Sequence, residues 1–565
     1  MRLLAFHSPD SAALGELEAK LLASGVFDHV ERRGDSWVVA HSGGSLRARR
    51  DSVFFVEGAE RLAGVTTSEL GQRTLEGSLR ALPGDFTFAW FRSPNEAHFV
   101  RAAVGTSPLF VWHGRAMLGV SSRLTDLARF MPEEPRLDPL ALAVLSRLAF
   151  MPPAGRTPLA SVELLASGSV LRWTKGGALR STKWWVPPSR ESANVTFEDH
   201  AAELRRVVLD GLQRTLDASG KNLLALSGGF DSSVLASLTA GPLGLDFSTL
   251  TLVPPPGAAL DWVSTRLARL RAEIGPHARR TWEREISPSR RMEYLRGAPV
   301  VVWTVAHPVL CLLPAIAQAE PLGCLFGGEG CDEHLGGGPA LFDWASSASP
   351  RSAALAYPKA LPRTGAIRFW SSFRLRRTFR RAPLLSSLTP PSFLARAAAA
   401  EYRDQARAEQ AAFAKSRSDR PYLTHRVLHT GVATVQNWEV CSGLGIRRYF
   451  PFFNREVIEL AYRCDPLELT NAEPKRLVRA AFRGVVPRHC SETPKHVWHD
   501  PAQDLDWSEP LPPELAGIVR DDWLERAPAA LAARDALRLR VLLNIISAVR
   551  TCRGVQRESR HVTWA

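Results

Sequence analysis

The stretch Ser227-Gly228-Gly229-Phe230-Asp231-Ser232-Ser233 decides how the rest of the chain is read. It follows an apolar run, Leu223 to Leu226, and leads into Val234-Leu235-Ala236, so the order is strand, glycine turn, helix. Glycines let backbone approach an anion closely. The first turn of the helix then offers free N–H groups and a favourable dipole. The hydroxyls and the Asp231 carboxylate add what a pyrophosphate and its Mg²⁺ require. The stretch lacks the Gly-Lys-Ser/Thr ending of a Walker loop, which argues against transfer of a γ-phosphoryl group. A comparable Ser/Gly turn, His41-Ser42-Gly43-Gly44-Ser45, has no Asp and no apolar helix after it.

The Ser227–Ser233 stretch resembles the PP-loop of the ATP pyrophosphatases, which cleave ATP to AMP and pyrophosphate. Composition sets the frame around it. At 565 residues the chain is long enough for two or more domains. Its 45% hydrophobic and 23% charged content is that of an ordinary soluble protein. A formal charge of +14 favours acidic partners, of which ATP is one and an acidic peptide another. No nucleic-acid-binding motif is present. All seven cysteines lie at or after Cys311 and none forms a C-x-x-C pair, which speaks against zinc and a disulfide framework and for free thiols in a reducing cytoplasm. Met1-Arg2-Leu3-Leu4 opens no signal peptide. Val300 to Ala319 carries no charge, but His307, Pro308, Pro314 and Gln318 fit a buried helix better than a membrane span.

Alternation in Asp85–Phe91 and in Ala116–Ser121 predicts strands in the first part of the chain, with helical spacing over Leu137–Phe150. Trp184-Trp185-Val186-Pro187-Pro188 breaks the pattern and divides residues 1–190 from 191–565. A helix over Ala201–Asp217 then leads into the glycine-turn strand. A strand over Phe247–Val253 and a helix over Leu260–Ile274 follow. Such strand–helix alternation predicts a parallel sheet covered on both faces. From about Leu341 the chain reads as helical. A basic, aromatic segment, Arg363 to Arg381, sits there as either a solvated helix face or a contact surface for a peptide or protein.

A second motif, Gly327-Gly328-Glu329-Gly330-Cys331-Asp332-Glu333-His334-Leu335-Gly336-Gly337, resembles the second ATP-site signature of asparagine synthetases and follows the strand Cys324-Leu325-Phe326. Pro451-Phe452-Phe453-Asn454-Arg455-Glu456, Lys475-Arg476-Leu477-Val478-Arg479-Ala480-Ala481 and Lys495 resemble later segments of that family, in order. Pro83–Phe88, Thr157-Pro158-Leu159 and Trp184-Trp185 echo its glutaminase half. The resemblance implies an α/β protein in two parts. Residues 1–190 would form an αββα sandwich of the Ntn-hydrolase type, and 191–565 a PP-loop synthetase domain with a parallel sheet and a helical C-terminal part.

Residue 2 is Arg2, where glutamine-dependent members have their nucleophilic cysteine, and no cysteine precedes Cys311. The first domain therefore reads as an inactive glutaminase scaffold. Family members without that cysteine include β-lactam synthetases and lasso peptide cyclases. Both adenylate a carboxylate and close a ring with an amine of the same molecule. β-Lactam synthetases carry a tyrosine where this chain keeps Glu329, and Arg448–Asn454 with Arg479–Pro487 looks closest to the lasso cyclases.

The resemblance implies ATP and Mg²⁺ as cofactors and a precursor peptide as substrate, with a leader-binding protein and a leader peptidase as partners. By carry-over, Ser227, Gly228, Gly229, Ser232, Ser233, Gly328 and Lys495 meet the phosphates. Asp231 and Asp332 hold the metal, and backbone near Leu226 and Leu252 meets the adenosine. Glu329 is the first choice for the base that deprotonates the amine, Glu439 the second, and Lys495 the oxyanion stabiliser. Glu333 reads as a cap and Lys475 as a helix-surface residue. Gly445-Ile446-Arg447-Arg448-Tyr449 stands where the family has G-V-E-x-R, so the acceptor pocket differs in charge from that of asparagine synthetase. The competing readings are a β-lactam synthetase-like or ammonia-using ligase and a non-catalytic scaffold.

Overall fold

Two kinds of sheet divide the chain. The computed structural model describes residues 2–141, 155–188, 195–253, 261–285, 308–336, 394–414 and 434–491, with Leu423. Within these spans 43–44, 50–51, 58–74, 82–85, 105–106, 139–140, 178, 436 and 471–474 are not described. Lys495 and the 363–381 segment therefore lie outside the described residues.

The first half builds two six-stranded antiparallel sheets. In one, β10 (Val162–Leu164), β8 (Phe110–His113), β9 (Leu118–Ser121), β1 (Arg2–His7), β3 (Trp37–Ser42) and β2 (His29–Arg33) lie side by side in that order. In the other the order is β12 (Arg180–Lys183), β11 (Ser169–Thr174), β7 (Glu96–Val100), β6 (Thr87–Ser93), β5 (Ser52–Glu57) and β4 (Ser45–Arg49). Period-two alternation sends Leu3, Ala5, Trp37 and Val39 from one sheet and Ala89, Phe91, Ala97 and Phe99 from the other into one core, a face-to-face packing of two sheets. A helix, Ser11–Ser24, covers the first sheet. Asp10 caps its start by accepting from Ala12 N at 2.9 Å, and Gly25 at φ 59° ends it. The helix Leu75–Ala81 places Leu75 and Leu79 in the apolar cluster of Phe86, Phe88 and Trp90 on the other sheet. The layer order is thus helix, sheet, sheet, helix. The helix expected over Leu137–Phe150 is corrected at its start, because Leu137 pairs with Leu159 as an isolated β-bridge.

The second half carries a five-stranded sheet, ordered β15 (Ala278–Glu285), β14 (Phe247–Val253), β13 (Asn222–Ala225), β16 (Cys324–Phe326) and β17 (Arg447–Tyr449), with every pair parallel. β13 and β16 are neighbours, yet the chain leaves β13 toward β14 and leaves β16 toward β17. That reversal opens a crevice at the strands' carboxyl ends, the usual ligand position in open α/β sheets. The helix Phe197–Thr215 leads in, its start fixed by Thr196 and Asp199, each bonding the other's backbone N–H. Phe230–Ala240 and Asp261–Ile274 are helices as the periodicity predicts. Pro308 opens the helix Pro308–Ala319, as read. Among the described residues no helix is long and apolar enough to cross a membrane, and Cys324, Cys331, Cys441, Cys464 and Cys490 are buried free thiols.

Candidate active site

The glycine turn ends β13 at the crevice. Gly228 takes φ 69°, where a side chain would be strained, and Gly229 opens the helix Phe230–Ala240 without a side-chain cap, leaving its first N–H groups for an incoming anion. Ser227 Oγ and Ser232 Oγ face each other at 3.1 Å, and Ser227 Oγ accepts from Gly229 N at 3.3 Å. Ser232 and Ser233 are both buried and donate to the Gly229 carbonyl, Ser233 at 2.8 Å and Ser232 at 3.2 Å, which shapes the turn. Arg266 Nη1 donates to the Gly228 carbonyl at 3.0 Å, and Thr251 Oγ1 to that of Leu226 at 2.9 Å. These bonds hold the turn from the helix Asp261–Ile274 and from β14, with buried Leu226 and half-buried Leu252 flanking the position read as the adenosine site.

The second loop ends β16 directly opposite. A Cβ on Gly328 would stand 2.8 Å from Asp231 Cβ and 3.2 Å from Ser232 N, so the two loops touch only because that residue is glycine. Gly330, at φ 95°, lies equally close to Phe452 and Phe453. The chain then makes a single π-type turn, Cys331–Leu335, a geometry frequent at functional sites. Glu333 Oε2 accepts from Gly330 N at 2.9 Å, the cap expected of it.

Lys475 joins the loops. Its Nζ donates to Asp231 Oδ1 at 2.6 Å and Oδ2 at 2.5 Å and pairs with Asp332 Oδ1 at 2.8 Å. The expectation of a helix-surface lysine is corrected: Lys475 is 8% exposed and sits at φ 60°, a backbone conformation a non-glycine residue rarely holds. Burial alone would lower the ammonium's pKa, but the Asp231 and Asp332 carboxylates hold it firmly charged. A sequence signal for it existed. A lysine at the head of the short helix Arg476–Ala481 opposes the helix dipole, which implies acidic neighbours from elsewhere. Two hard carboxylates converging on one cation also fit Mg²⁺, which takes one or two carboxylates together with phosphate oxygens. His200, Cys464 and Glu468 form the other grouping able to hold a metal among the described residues. His200 Nδ1 and Glu468 Oε2 are already paired there at 2.7 Å, and the donors are not a Mg²⁺ set.

The two candidate bases separate. Glu329 Oε2 is shielded from solvent and has no hydrogen-bond partner among the described residues. Burial pushes its carboxyl up to about 7; Glu333 and Asp231 push the same way, while Arg448 opposes them. Its carboxylate folds back over Gly327, where a Cβ would collide with it. Glu439 is fully buried and also raised to about 7 by burial, but both oxygens are engaged: Oε1 accepts from Leu124 N, and Oε2 accepts from Thr125 Oγ1 at 2.9 Å. Asn454 Oδ1 accepts from Arg455 N at 3.0 Å and starts the helix Arg455–Arg463.

The family model for asparagine synthase matches residues 203–553, more than half of the chain. No curated protein matches. Two solved structures align weakly with half of the chain. One is described as the allosteric regulatory enzyme of purine biosynthesis: 10% identity, 51% of this chain and 81% of that chain covered, TM-score 0.23. The other is glutamine phosphoribosylpyrophosphate amidotransferase from B. subtilis: 10% identity, 51% and 82% covered, TM-score 0.22.

Proposed function

The chain belongs to the asparagine synthase family, and on that premise we propose that it is an ATP-dependent, AMP-forming peptide cyclase of the lasso type. It adenylates an Asp or Glu side chain of a precursor peptide and joins it to the peptide's N-terminal amine as an isopeptide ring. The observation that carries the reading is the meeting of Asp231 and Asp332 from two strand-end loops on Lys475, beside a carboxylate, Glu329, whose Oε2 has no partner among the described residues. No cysteine precedes Cys311, so in this reading nitrogen does not come from glutamine, and the substrate's own amine takes that place. The N-terminal half, in this reading, is the Ntn-type scaffold of a lost glutaminase.

The backbone N–H groups after Gly229, with the Ser227 and Ser232 hydroxyls, bind the pyrophosphate portion of ATP, while Leu226 and Leu252 flank the adenosine. Asp231 and Asp332 would hold Mg²⁺, which when bound neutralises charge on the phosphates. The substrate carboxylate attacks the α-phosphorus and pyrophosphate leaves. Lys475 offsets the negative charge gathered between the loops, and Lys495 stabilises the oxyanion and pyrophosphate. The amine then attacks the acyl carbon, Glu329 takes its proton, and AMP departs with the electron pair of the broken acyl–oxygen bond. A base titrating near 7 suits this work at neutral pH. A precursor peptide carrying an acidic residue in its core, incubated with the protein, Mg²⁺ and ATP, should lose one water by mass spectrometry while AMP accumulates. Amidation of a small amino acid with the peptide left intact would overturn the cyclase reading.

A further inference from the structure

Among the described residues the antiparallel half contributes no side chain to the proposed ATP cradle, yet residues 121–126 are shaped to hold one helix of the parallel half. That helix spans residues 437–443. Its Glu439 carboxylate reaches across to Leu124 N and Thr125 Oγ1. Arg123 returns the contact: its Nη2 donates to the Glu439 carbonyl at 3.0 Å, and its Nε lies 3.6 Å from Glu439 Oε2. Arg123 Nη1 also donates to Asp126 Oδ1 at 3.2 Å, and Asp126 accepts both arms of Arg2, Nε at 2.7 Å and Nη2 at 2.5 Å. The network holds two guanidinium groups and two carboxyls. Asp126 and Glu439 are fully buried, Arg123 nearly so, and removing one member leaves an uncompensated buried charge. Packing enforces the arrangement, since a Cβ on Gly443 would stand 2.8 Å from Arg123 Nη2.

The far side of the same helix faces the site. Val440 and Cys441 share an apolar cluster with Leu223 of β13 and Leu325 of β16, the strands that launch the two ATP-site loops. Just past the helix, Arg448 donates to the Thr434 carbonyl and bears electrostatically on Glu329.

We propose that Arg2, Asp126, Arg123 and Glu439 form a brace between the two halves that fixes helix 437–443 and, through it, the loop carrying Glu329. Arg123 and Glu439 are positioning residues. The degenerate half thereby stays necessary to a reaction in which it takes no chemical part.

Hydrogen–deuterium exchange on the full chain tests this without reference to the reaction. Arg123→Ala should speed exchange at residues 434–449 and 324–335 while β1 and β3 stay protected. An effect confined to residues 121–130 overturns the brace. The activity arm rests on the ligase reading: turnover should fall about tenfold, in line with the cost of small misplacements, with the KM for ATP nearly unchanged. Arg123→Lys, which keeps the charge and loses the fork, should recover part of both signals. If Arg123→Ala does not fold, Gly443→Ala decides the matter. It alters no charge and displaces only the guanidinium, and it should give the same exchange pattern at smaller amplitude. Unchanged exchange at 434–449 in a folded Gly443→Ala protein sinks the proposal.

Discussion

The crevice between β13 and β16 and the seam between the two halves use the same side chains to opposite ends. Each gathers two buried or half-buried carboxylates around cationic nitrogen. At the seam, both Glu439 oxygens accept a hydrogen bond and Asp126 is held by two guanidinium groups. At the crevice, Glu329 Oε2 has no partner among the described residues and Lys475 is held at φ 60°. In the proposed function, the bonded Glu439 belongs to a structural joint, and the unpartnered Glu329 oxygen with the strained lysine belongs to a place kept ready for a ligand.

The sharpest way to break that contrast is at Asp231. Asp231→Ala removes a proposed metal ligand and the bidentate partner of Lys475 together. AMP formation should drop to background, roughly a thousandfold or more, with far-ultraviolet circular dichroism unchanged. Persisting pyrophosphate release in that variant would mean the loops do not form the ATP site. Next comes Glu329→Gln, which keeps shape and removes the base. Ring closure should slow by about 10²–10⁴ while ATP–pyrophosphate exchange continues. Equal loss of both would make Glu329 part of the adenylation step instead. Glu439→Gln should leave both partial reactions within the smaller range of a positioning effect, and a larger loss than Glu329→Gln would invert the assignment.

Acidity separates the same two residues. Both carboxyls titrate at about 7 in the folded chain, above their ordinary value of 4.5. The folded state therefore keeps two protons that the unfolded chain gives up between those values. Their contribution to stability is complete below 4.5 and is lost as pH rises through about 7. Either Glu→Gln variant should flatten stability measured against pH across that window. Only Glu329→Gln should also abolish the rise in ring-closure rate near pH 7, because only Glu329 must lose its proton to act. Loss of the rate limb in Glu439→Gln would shift the base to the seam.

Why the crevice was easier to read than the seam follows from sequence distance. Leu223–Ser233 and Cys324–Leu335 are each a strand, a glycine turn and an acid in one short run, so local chemistry declares them. The order of strands places them side by side, which neither run states alone. Lys475 meets Asp231 across 244 residues, and Glu439 meets Leu124 across 315. Nothing local distinguishes Glu439 in Asn437-Trp438-Glu439 from a base on a helix face. Its partners at 123–125 are a guanidinium, a backbone N–H and a hydroxyl, a set that no motif announces. The run also names two adjacent hydroxyls without telling them apart, yet Ser232 Oγ faces Ser227 Oγ at 3.1 Å, while Ser233 Oγ bonds the Gly229 carbonyl.

The smallest effect belongs to the second clasp of the seam. Trp185, at the end of the antiparallel half, donates its indole N–H to Glu459 Oε1 at 2.7 Å, and Glu459 also lies 3.5 Å from Arg455 Nε. Trp185→Phe keeps an aromatic ring in a nearly buried site, removes that bond and leaves a small void where the indole was larger. The bond's share is therefore read against Trp185→Phe combined with Glu459→Gln. The Glu459 side chain is 30% exposed, so water can replace the lost donor and no buried charge is stranded. The loss should be about 0.5–1.5 kcal/mol, read as a small drop in the urea midpoint, with ring closure and its pH profile untouched. A loss as large as that of Arg123→Ala would place the mechanical link between the halves at the tryptophan, and the charged brace would then be ornament to an apolar hinge.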